Sequence, residues 1–288
     1  MKVVLTIAGS DSSGGAGIQA DLKTMTCLGV YGMSVITALT AQNTMGVDAV
    51  VETSLNMLEA QIDSCLSDIT ADGVKIGMLP SAEQVRVVAR KLKEYSCKNV
   101  VVDPVMVSTS GSKLMAESTK NVMANMLFPI ARVITPNIPE AESWLQASIK
   151  NREAMEWAAK KLNEMYGCGV LVKGGHSVED ASDVLFDSGT ITWFEGNRIN
   201  NPNTHGTGCT LSSAIASHLA MGYNLKDSIE RAKRYLENAI AADLDLGHGQ
   251  GPLNHMARLY SMTFCGTNNE NSRKNLASPD TPLHKCKA

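Results

Sequence analysis

Short runs rich in Val and Ile alternate along this 288-residue chain with segments whose apolar residues recur every third or fourth position. Residues 3–8 are a β-rich run, the loop Gly9-Ser-Asp-Ser-Ser-Gly-Gly-Ala-Gly17 ends it, and Ile18, Leu22, Met25 and Leu28 then follow at helical spacing up to Gly29. That change of period predicts a strand, a glycine loop and a helix. The exchange repeats: a strand at 74–77 before a helix over 81–94, a strand at 100–102 before a helix over 113–126, a strand at 133–135, and a helix over 153–165 before a strand at 169–172. Strands joined through helices run parallel, and right-handed crossovers place the helices on both faces of the sheet. The expected fold class is therefore α/β with a mainly parallel central sheet.

One stretch breaks the rhythm. Val184-Leu-Phe, Asp187-Ser-Gly189 and Thr190-Ile-Thr-Trp-Phe194 predict a β-hairpin closed by a glycine-containing turn. Helices over 209–221 and 225–244 then finish the ordered part. No repeat or linker divides the chain, so one domain is expected over 1–263, and the Asn-, Ser-, Pro- and Lys-rich residues 264–288 are expected to form a flexible polar tail.

A net charge of −3, with no block of five like charges, provides no footprint for nucleic acid or an anionic membrane surface. The opening apolar stretch is too short for a secretory signal core, and no uncharged apolar run reaches the roughly 18 residues of a membrane span. A cytoplasmic location is expected. Seven cysteines without a CxxC pair read as free thiols rather than as a disulfide or metal framework.

In a parallel sheet, ligands bind beyond the carboxyl ends of the strands. The candidate segments are Gly9 to Gly17, Ala41-Gln-Asn43, Gly77-Met78, Asp103-Pro-Val105, Thr135-Pro-Asn-Ile-Pro-Glu140, Lys173-Gly-Gly175 and His205-Gly-Thr-Gly-Cys209. The last is the sharpest: a glycine turn opening a helix turns backbone N–H groups and the positive dipole end toward one spot, an anion site. The same glycines also suit a plain helix entry. Lys173 adds a cation at a strand end. Asn137 and Glu140 have the spacing of a capping box; as a functional alternative, Glu140 and Asp103 supply oxygens, directly or through water, to a Mg²⁺ bridging ATP phosphates. Gly15-Ala-Gly17-Ile-Gln-Ala20 matches a dinucleotide fingerprint, but residues 35–43 hold no acidic partner for a ribose, and GxxxxGK[ST] occurs nowhere.

Together, the segments 6–23, 37–43, 75–78, 134–142 and 173–176, followed by His205-Gly-Thr-Gly-Cys-Thr-Leu-Ser212, resemble the hydroxymethylpyrimidine/phosphomethylpyrimidine kinases of thiamine biosynthesis, from about Lys2 to Tyr260. The resemblance implies the ribokinase-like αβα sandwich, commonly a dimer, with ATP and Mg²⁺ as cofactors and a small aminopyrimidine alcohol, or its phosphate, as substrate. By that resemblance Gln42 recognises the aminopyrimidine, since a carboxamide offers one donor and one acceptor to an amine beside a ring nitrogen. Gly9, Met78 and Val105 would surround the ring, with Asp21 near the substrate side.

On the nucleotide side the resemblance implies Lys173 at the phosphates, Asn137 and Glu140 organising Mg²⁺-ATP, and Gly206, Thr207 and Gly208 as the anion hole. Cys209 then faces the attacking hydroxyl as base. A thiol at a helix N-terminus is expected to have a lowered pKa. Two alternatives stay open: a pyridoxal kinase of the same layout, and a binding protein that has kept the pocket without the transfer. The lid-like Val107-Ser-Thr-Ser-Gly111 offers no charged side chain to the site.

Overall fold

Strand β1 (Val3–Asp11) lies at the centre of the sequence's expected alternation, hydrogen-bonded in parallel to β2 (Tyr31–Asn43) on one side and to β4 (Gly73–Ile76) on the other. The structure, a computed structural model, describes residues 1–106, 115–175, 181–196 and 198–257. The sheet continues in parallel through β5 (Val100–Val102), β6 (Val133–Ile134) and β7 (Gly169–Val172). Antiparallel strands close both ends: β3 (Gly46–Glu52) beside β2, and the expected hairpin β8 (Asp183–Asp187) and β9 (Thr190–Phe194) beside β7. The nine strands stand in the order β3-β2-β1-β4-β5-β6-β7-β8-β9.

Burial explains the Val-rich runs. Every residue of β4, β5 and β7 is buried, as strands covered by helices on both faces must be. Alternate residues feed two cores. Leu5, Ile7, Ile76, Val102 and Val172 pack with α2 (Leu55–Leu66), α3 (Ala82–Glu94), α4 (Glu117–Met126), α5 (Ile138–Leu145) and α6 (Arg152–Tyr166). Val4, Val101, Val133 and Leu171 pack with α1 (Gly17–Cys27), α7 (Thr207–Ala220) and α8 (Leu225–Ala241). This is the three-layer αβα sandwich.

Several boundaries shift. β1 runs three residues into the expected glycine loop, to Asp11, and α8 ends at Ala241 rather than at 244. The sequence reading did not identify β3 or α2. β3 is exposed or half-buried throughout, so it has no apolar alternation to detect. The lid-like Val107 to Gly111, His176, the first two residues of the expected 113–126 helix and the tail over 264–288 lie outside the described residues.

Candidate active site

The carboxyl ends of the parallel strands open on a cavity of about 1020 Å³. Of the expected site residues, Gly9, Gln42, Met78, Asp103, Val105, Asn137, Glu140, Lys173, Gly206, Thr207, Gly208 and Cys209 line it. They arrive from different elements, so the fold gathers what the sequence disperses.

The anion corner is built on glycine. Gly206, the residue before α7, has φ +86°, and a Cβ there would stand 1.9 Å from the Gly15 carbonyl oxygen. Only glycine fits both the conformation and the contact. At the start of α7 the Thr207 N–H reaches back to the Thr204 carbonyl at 3.3 Å, while the next N–H groups of the first turn have no intrahelical acceptor, and the dipole's positive end adds to them. A Cβ on Gly208 would lie 3.2 Å from Asp103 Oδ2 and 3.6 Å from Lys173 Nζ. Lys173 Nζ donates to Asp103 Oδ1 at 2.8 Å. A helix start, an ammonium and a carboxylate therefore meet at one place.

Asn137 and Glu140 form the capping box their spacing predicts: Asn137 Oδ1 accepts from the Glu140 N–H and Glu140 Oε2 accepts from the Asn137 N–H, each at 2.8 Å. Burial pushes the Glu140 carboxyl up to about 7; Lys173 opposes that shift and Asp103 adds to it. Asp103 goes the other way. Burial disfavours its charge, but Lys173 and Lys75 outweigh burial and hold it below the usual carboxylate range. Two neighbouring carboxyls whose shifts are opposed in this way are characteristic of functional sites.

Also lining the cavity, Gly9 would place a Cβ 3.3 Å from Met78 Sδ, so the loop backbone and the thioether form a close apolar wall. Beside that wall Gln42 Nε2 stands 3.4 Å from His205 Nε2, and His205 Nε2 is 2.8 Å from Asp11 Oδ2. Asp11 also accepts from Ser13, Gly15 and Ala16 N–H groups. Burial works against its charge, yet the hydrogen bonds from His205, Ser13 and Ala16 lower it to about 2.

Asp21 occupies a different place from the one expected. Rather than lying in the cavity, it sits fully buried beneath it, accepting from Lys75 Nζ at 2.8 and 2.9 Å, from Thr6 Oγ1 at 2.6 Å and from Ser213 Oγ at 2.6 Å. A carboxylate so engaged has no capacity left for a ligand. Cys209 is also corrected. Although it opens a helix and is partly accessible from the cavity, burial pushes its thiol up to about 11; Lys75 draws it back, while Asp21 and Asp103 push it further. Desolvation outweighs the helix dipole here, and the thiol is neutral at neutral pH.

Three lining residues were not singled out from the sequence: Lys75, Asp11 and His205. Each lies within a quoted motif, but nothing local distinguishes it; a lysine inside an otherwise apolar strand was the one available signal for Lys75.

Among the described residues no group of three or more His, Cys, Asp or Glu side chains gathers around a point. The oxygens this site would offer a Mg²⁺ are those of two carboxyls, Asp103 and Glu140. That suits an ion which keeps several waters and takes its remaining oxygens from phosphates, rather than an all-protein cage. Among the described residues no helix is long and apolar enough to cross a membrane.

The sequence profile of the phosphomethylpyrimidine kinase family matches residues 11–254. The hydroxymethylpyrimidine/phosphomethylpyrimidine kinase of Rhizobium meliloti is 47% identical over 260 residues, covering 89% of this chain and 97% of that protein. The thiamine biosynthesis bifunctional protein of Geobacter sulfurreducens is 51% identical over 254 residues, 88% of this chain, and the match spans about half, 52%, of that relative's length. Among solved structures, a pyridoxal kinase from Bacillus subtilis in complex with ADP superimposes with a TM-score of 0.83 at 38% identity, covering 90% of this chain and 99% of that one. The chain belongs to the phosphomethylpyrimidine kinase family, phosphotransferases on a ribokinase-like αβα frame.

Proposed function

We propose that the protein transfers the γ-phosphoryl group of ATP to the hydroxymethyl oxygen of 4-amino-5-hydroxymethyl-2-methylpyrimidine, and then phosphorylates the resulting monophosphate to the diphosphate used in thiamine biosynthesis. The observation that carries this reading is one cavity lined together by the glycine-built start of α7, Lys173, Cys209 and Gln42.

The residues divide the work. The N–H groups of the first turn of α7 and the Lys173 ammonium hold phosphate oxygens, and Asn137 orders Glu140 through the capping box. Asp103 and Glu140 hold Mg²⁺ directly or through water. Bound there, the ion supplies charge neutralisation across the phosphates. Gln42 aligns the ring, Gly9, Met78 and Val105 enclose it, and in-line geometry provides most of the acceleration. Through its small thiolate fraction, which the Lys75 ammonium favours, Cys209 accepts the hydroxyl proton and becomes the neutral thiol as the substrate oxygen attacks phosphorus.

The protein is further proposed to be cytoplasmic and to form a homodimer, with a small-molecule substrate and no nucleic-acid or membrane partner. The dimer reading rests on the sheet edge. Val50 and Val51 of β3, Leu39 of β2 and Leu55 and Met57 at the start of α2 are 39 to 66% exposed. A long apolar edge of this kind is ordinarily covered.

The test is ADP release measured side by side with the hydroxymethylpyrimidine, its monophosphate and pyridoxal. Turnover that depends on the pyrimidine is expected. Turnover on pyridoxal alone moves the assignment to the second reading, which the likeness to the Bacillus subtilis pyridoxal kinase keeps in view. A binding protein without transfer would consume no ATP with any of the three, although Glu140, Lys173 and Cys209 are all in place.

A further inference from the structure

Gln42 can hold an aminopyrimidine in one sense only if its carboxamide is itself held in one sense, because the oxygen and nitrogen ends swap the roles of acceptor and donor on rotation by half a turn. The neighbours of the amide decide which way it stands. Asp11 is the anchor. Its Oδ1 accepts from the Ser13 N–H at 2.9 Å and from Ser13 Oγ at 2.8 Å, and its Oδ2 accepts from the N–H groups of Gly15 at 3.1 Å and Ala16 at 2.8 Å. A carboxylate among so many donors stays ionised and can only accept. His205 Nε2, 2.8 Å from Asp11 Oδ2, must then carry the hydrogen. The ring is locked in place as well, since a Cβ at Gly15 would meet His205 Cδ2 at 2.4 Å.

The single Nε2 hydrogen goes to Asp11, so the nitrogen has no lone pair left to accept an amide N–H from Gln42, and at 3.4 Å it is an amide oxygen that suits it, as the minor branch of a shared hydrogen bond. With the amide nitrogen placed 3.4 Å from His205 Nε2, two donors would confront each other. Thr40 agrees. Its hydroxyl has a single hydrogen, which goes to the Ser10 carbonyl at 2.8 Å, so the Gln42 end 3.2 Å from Thr40 Oγ1 is best served by an N–H that Thr40 can accept. No two donors face each other when the Gln42 oxygen faces His205 and its NH₂ faces Thr40. One lone pair and one N–H then remain for a ligand.

We propose that His205, held by Asp11, is a positioning residue for substrate specificity: it fixes the polarity of the Gln42 carboxamide and so dictates which edge of a flat nitrogen heterocycle the site accepts. The occupant it selects presents an amine hydrogen to the Gln42 oxygen and a ring nitrogen to the Gln42 N–H, the edge of an aminopyrimidine. A pyridine alcohol without an exocyclic amine leaves the oxygen unpaired. This inference rests on the reading of Gln42 as the ring-recognising group.

The test pairs a direct observation with a kinetic split. Long-range ¹H–¹⁵N correlation spectra of the whole protein, with and without the hydroxymethylpyrimidine, are expected to show His205 as the Nε2–H tautomer; an Nδ1–H tautomer overturns the proposal whatever the enzyme phosphorylates. In kinetics, His205→Phe keeps a flat ring and deletes the donor. It is expected to raise KM for the hydroxymethylpyrimidine about tenfold, the scale of one neutral hydrogen bond, to shift KM for ATP less than about threefold, and to lower the preference for pyrimidine over pyridoxal by a similar factor. His205→Gln, which returns an N–H to nearly the same place, is expected to recover most of that loss. An unchanged pyrimidine KM in His205→Phe, or equal losses in both variants, overturns the positioning role. Should Gln42→Ala bind the pyrimidine as well as the parent, the proposal falls with the Gln42 reading; should the parent protein phosphorylate no pyrimidine at all, the functional reading falls and the tautomer still decides how Asp11 orients His205.

Discussion

The Lys75 ammonium meets the Asp21 carboxylate at 2.8 Å with both side chains fully shielded from water. β4 supplies the lysine and α1 the acid, while Thr6 of β1 and Ser213 of α7 complete the carboxylate's hydrogen bonds. The pair therefore ties the central strands to the helix that opens the anion corner. Burial alone would strip Lys75 of its charge, but Asp21, with Cys209 and Asp103 nearby, holds its pKa above the ordinary value.

Removing one partner should be much worse than removing both. Asp21→Asn leaves a buried ammonium facing a neutral amide, and breaking such a pair costs about 3–5 kcal/mol. Thermal unfolding should show a drop in Tm of about 6–20 °C, on the scale of about 2–4 °C per kcal/mol for a mid-sized domain. Lys75→Met combined with Asp21→Asn should recover part of the loss. A Tm within about 2 °C of the parent in the single variant would falsify the view that this pair holds the layers together.

Glu140 makes nucleotide binding sensitive to pH. Its carboxyl is raised to about 7, so in the free protein it is largely protonated below that value. The native state then binds a proton that the unfolded chain has released, and this contribution to stability is full below the ordinary glutamate pKa of 4.5 and fades as pH rises through about 7. In the role proposed for Glu140, Mg²⁺-ATP would need the ionised form. Calorimetry at pH 6 in buffers of different ionisation enthalpy should detect about one proton released per nucleotide bound, and affinity should climb between pH 6 and 8. Glu140→Gln should bind more weakly and release none; a release equal to the parent's assigns the proton to another group.

Much of the frame was legible because strands covered on both faces leave a loud signal: β5 and β7 are unbroken apolar runs, β4 is interrupted only by Lys75, and Gly206 and Asn137 punctuate helix starts in their own short segments. What escaped had a non-local cause. α2 carries Leu58, Ile62 and Leu66 at helical spacing behind the Ser54 cap, but exposed Leu55 and Met57 blur its stripe. Asp11 and His205 are 194 positions apart, and only the sheet brings them to hydrogen-bond distance. The Cys209 error has the same root: the helix start is visible in the sequence, whereas the burial that outweighs it arrives from β4, β5 and α1.

Because the Cys209 thiol is pushed up to about 11, the thiolate is a small fraction at pH 7 and grows with each pH unit. If that thiolate takes the hydroxyl proton, log kcat should rise with pH between about 7 and 9 with a slope approaching one. Cys209→Ala should lower kcat by roughly 10² to 10⁴ and flatten the profile. The same shift makes alkylation of Cys209 by iodoacetamide slow at pH 7 and progressively faster toward pH 10. A flat kcat profile in the parent, beside near-normal turnover in the alanine variant, leaves Cys209 as a packing residue.

The exposed edge gives a prediction about assembly. Val51 is 66% exposed on the outermost strand, and Val51→Lys puts a charge on the apolar edge without touching the core. Sedimentation velocity should show a dimer for the parent and a monomer for this variant. Equal sedimentation of the two species places the subunit contact elsewhere.

The final prediction concerns the glycine on which the anion corner turns. Gly206→Ala adds a Cβ that would fall 1.9 Å from the Gly15 carbonyl oxygen, at a φ of +86° that non-glycine residues seldom adopt. Strain of this backbone kind costs on the order of 1–3 kcal/mol, and the overlap forces the two glycine loops apart. Since Gly15 also borders the His205 ring, the anion corner and the region around His205 open together. The variant should fold with a lower Tm, lose ATP affinity and raise the pyrimidine KM in the same preparation. Loss of ATP binding with the pyrimidine KM intact shows instead that the loops move independently, and the site is then two half-sites rather than one braced unit.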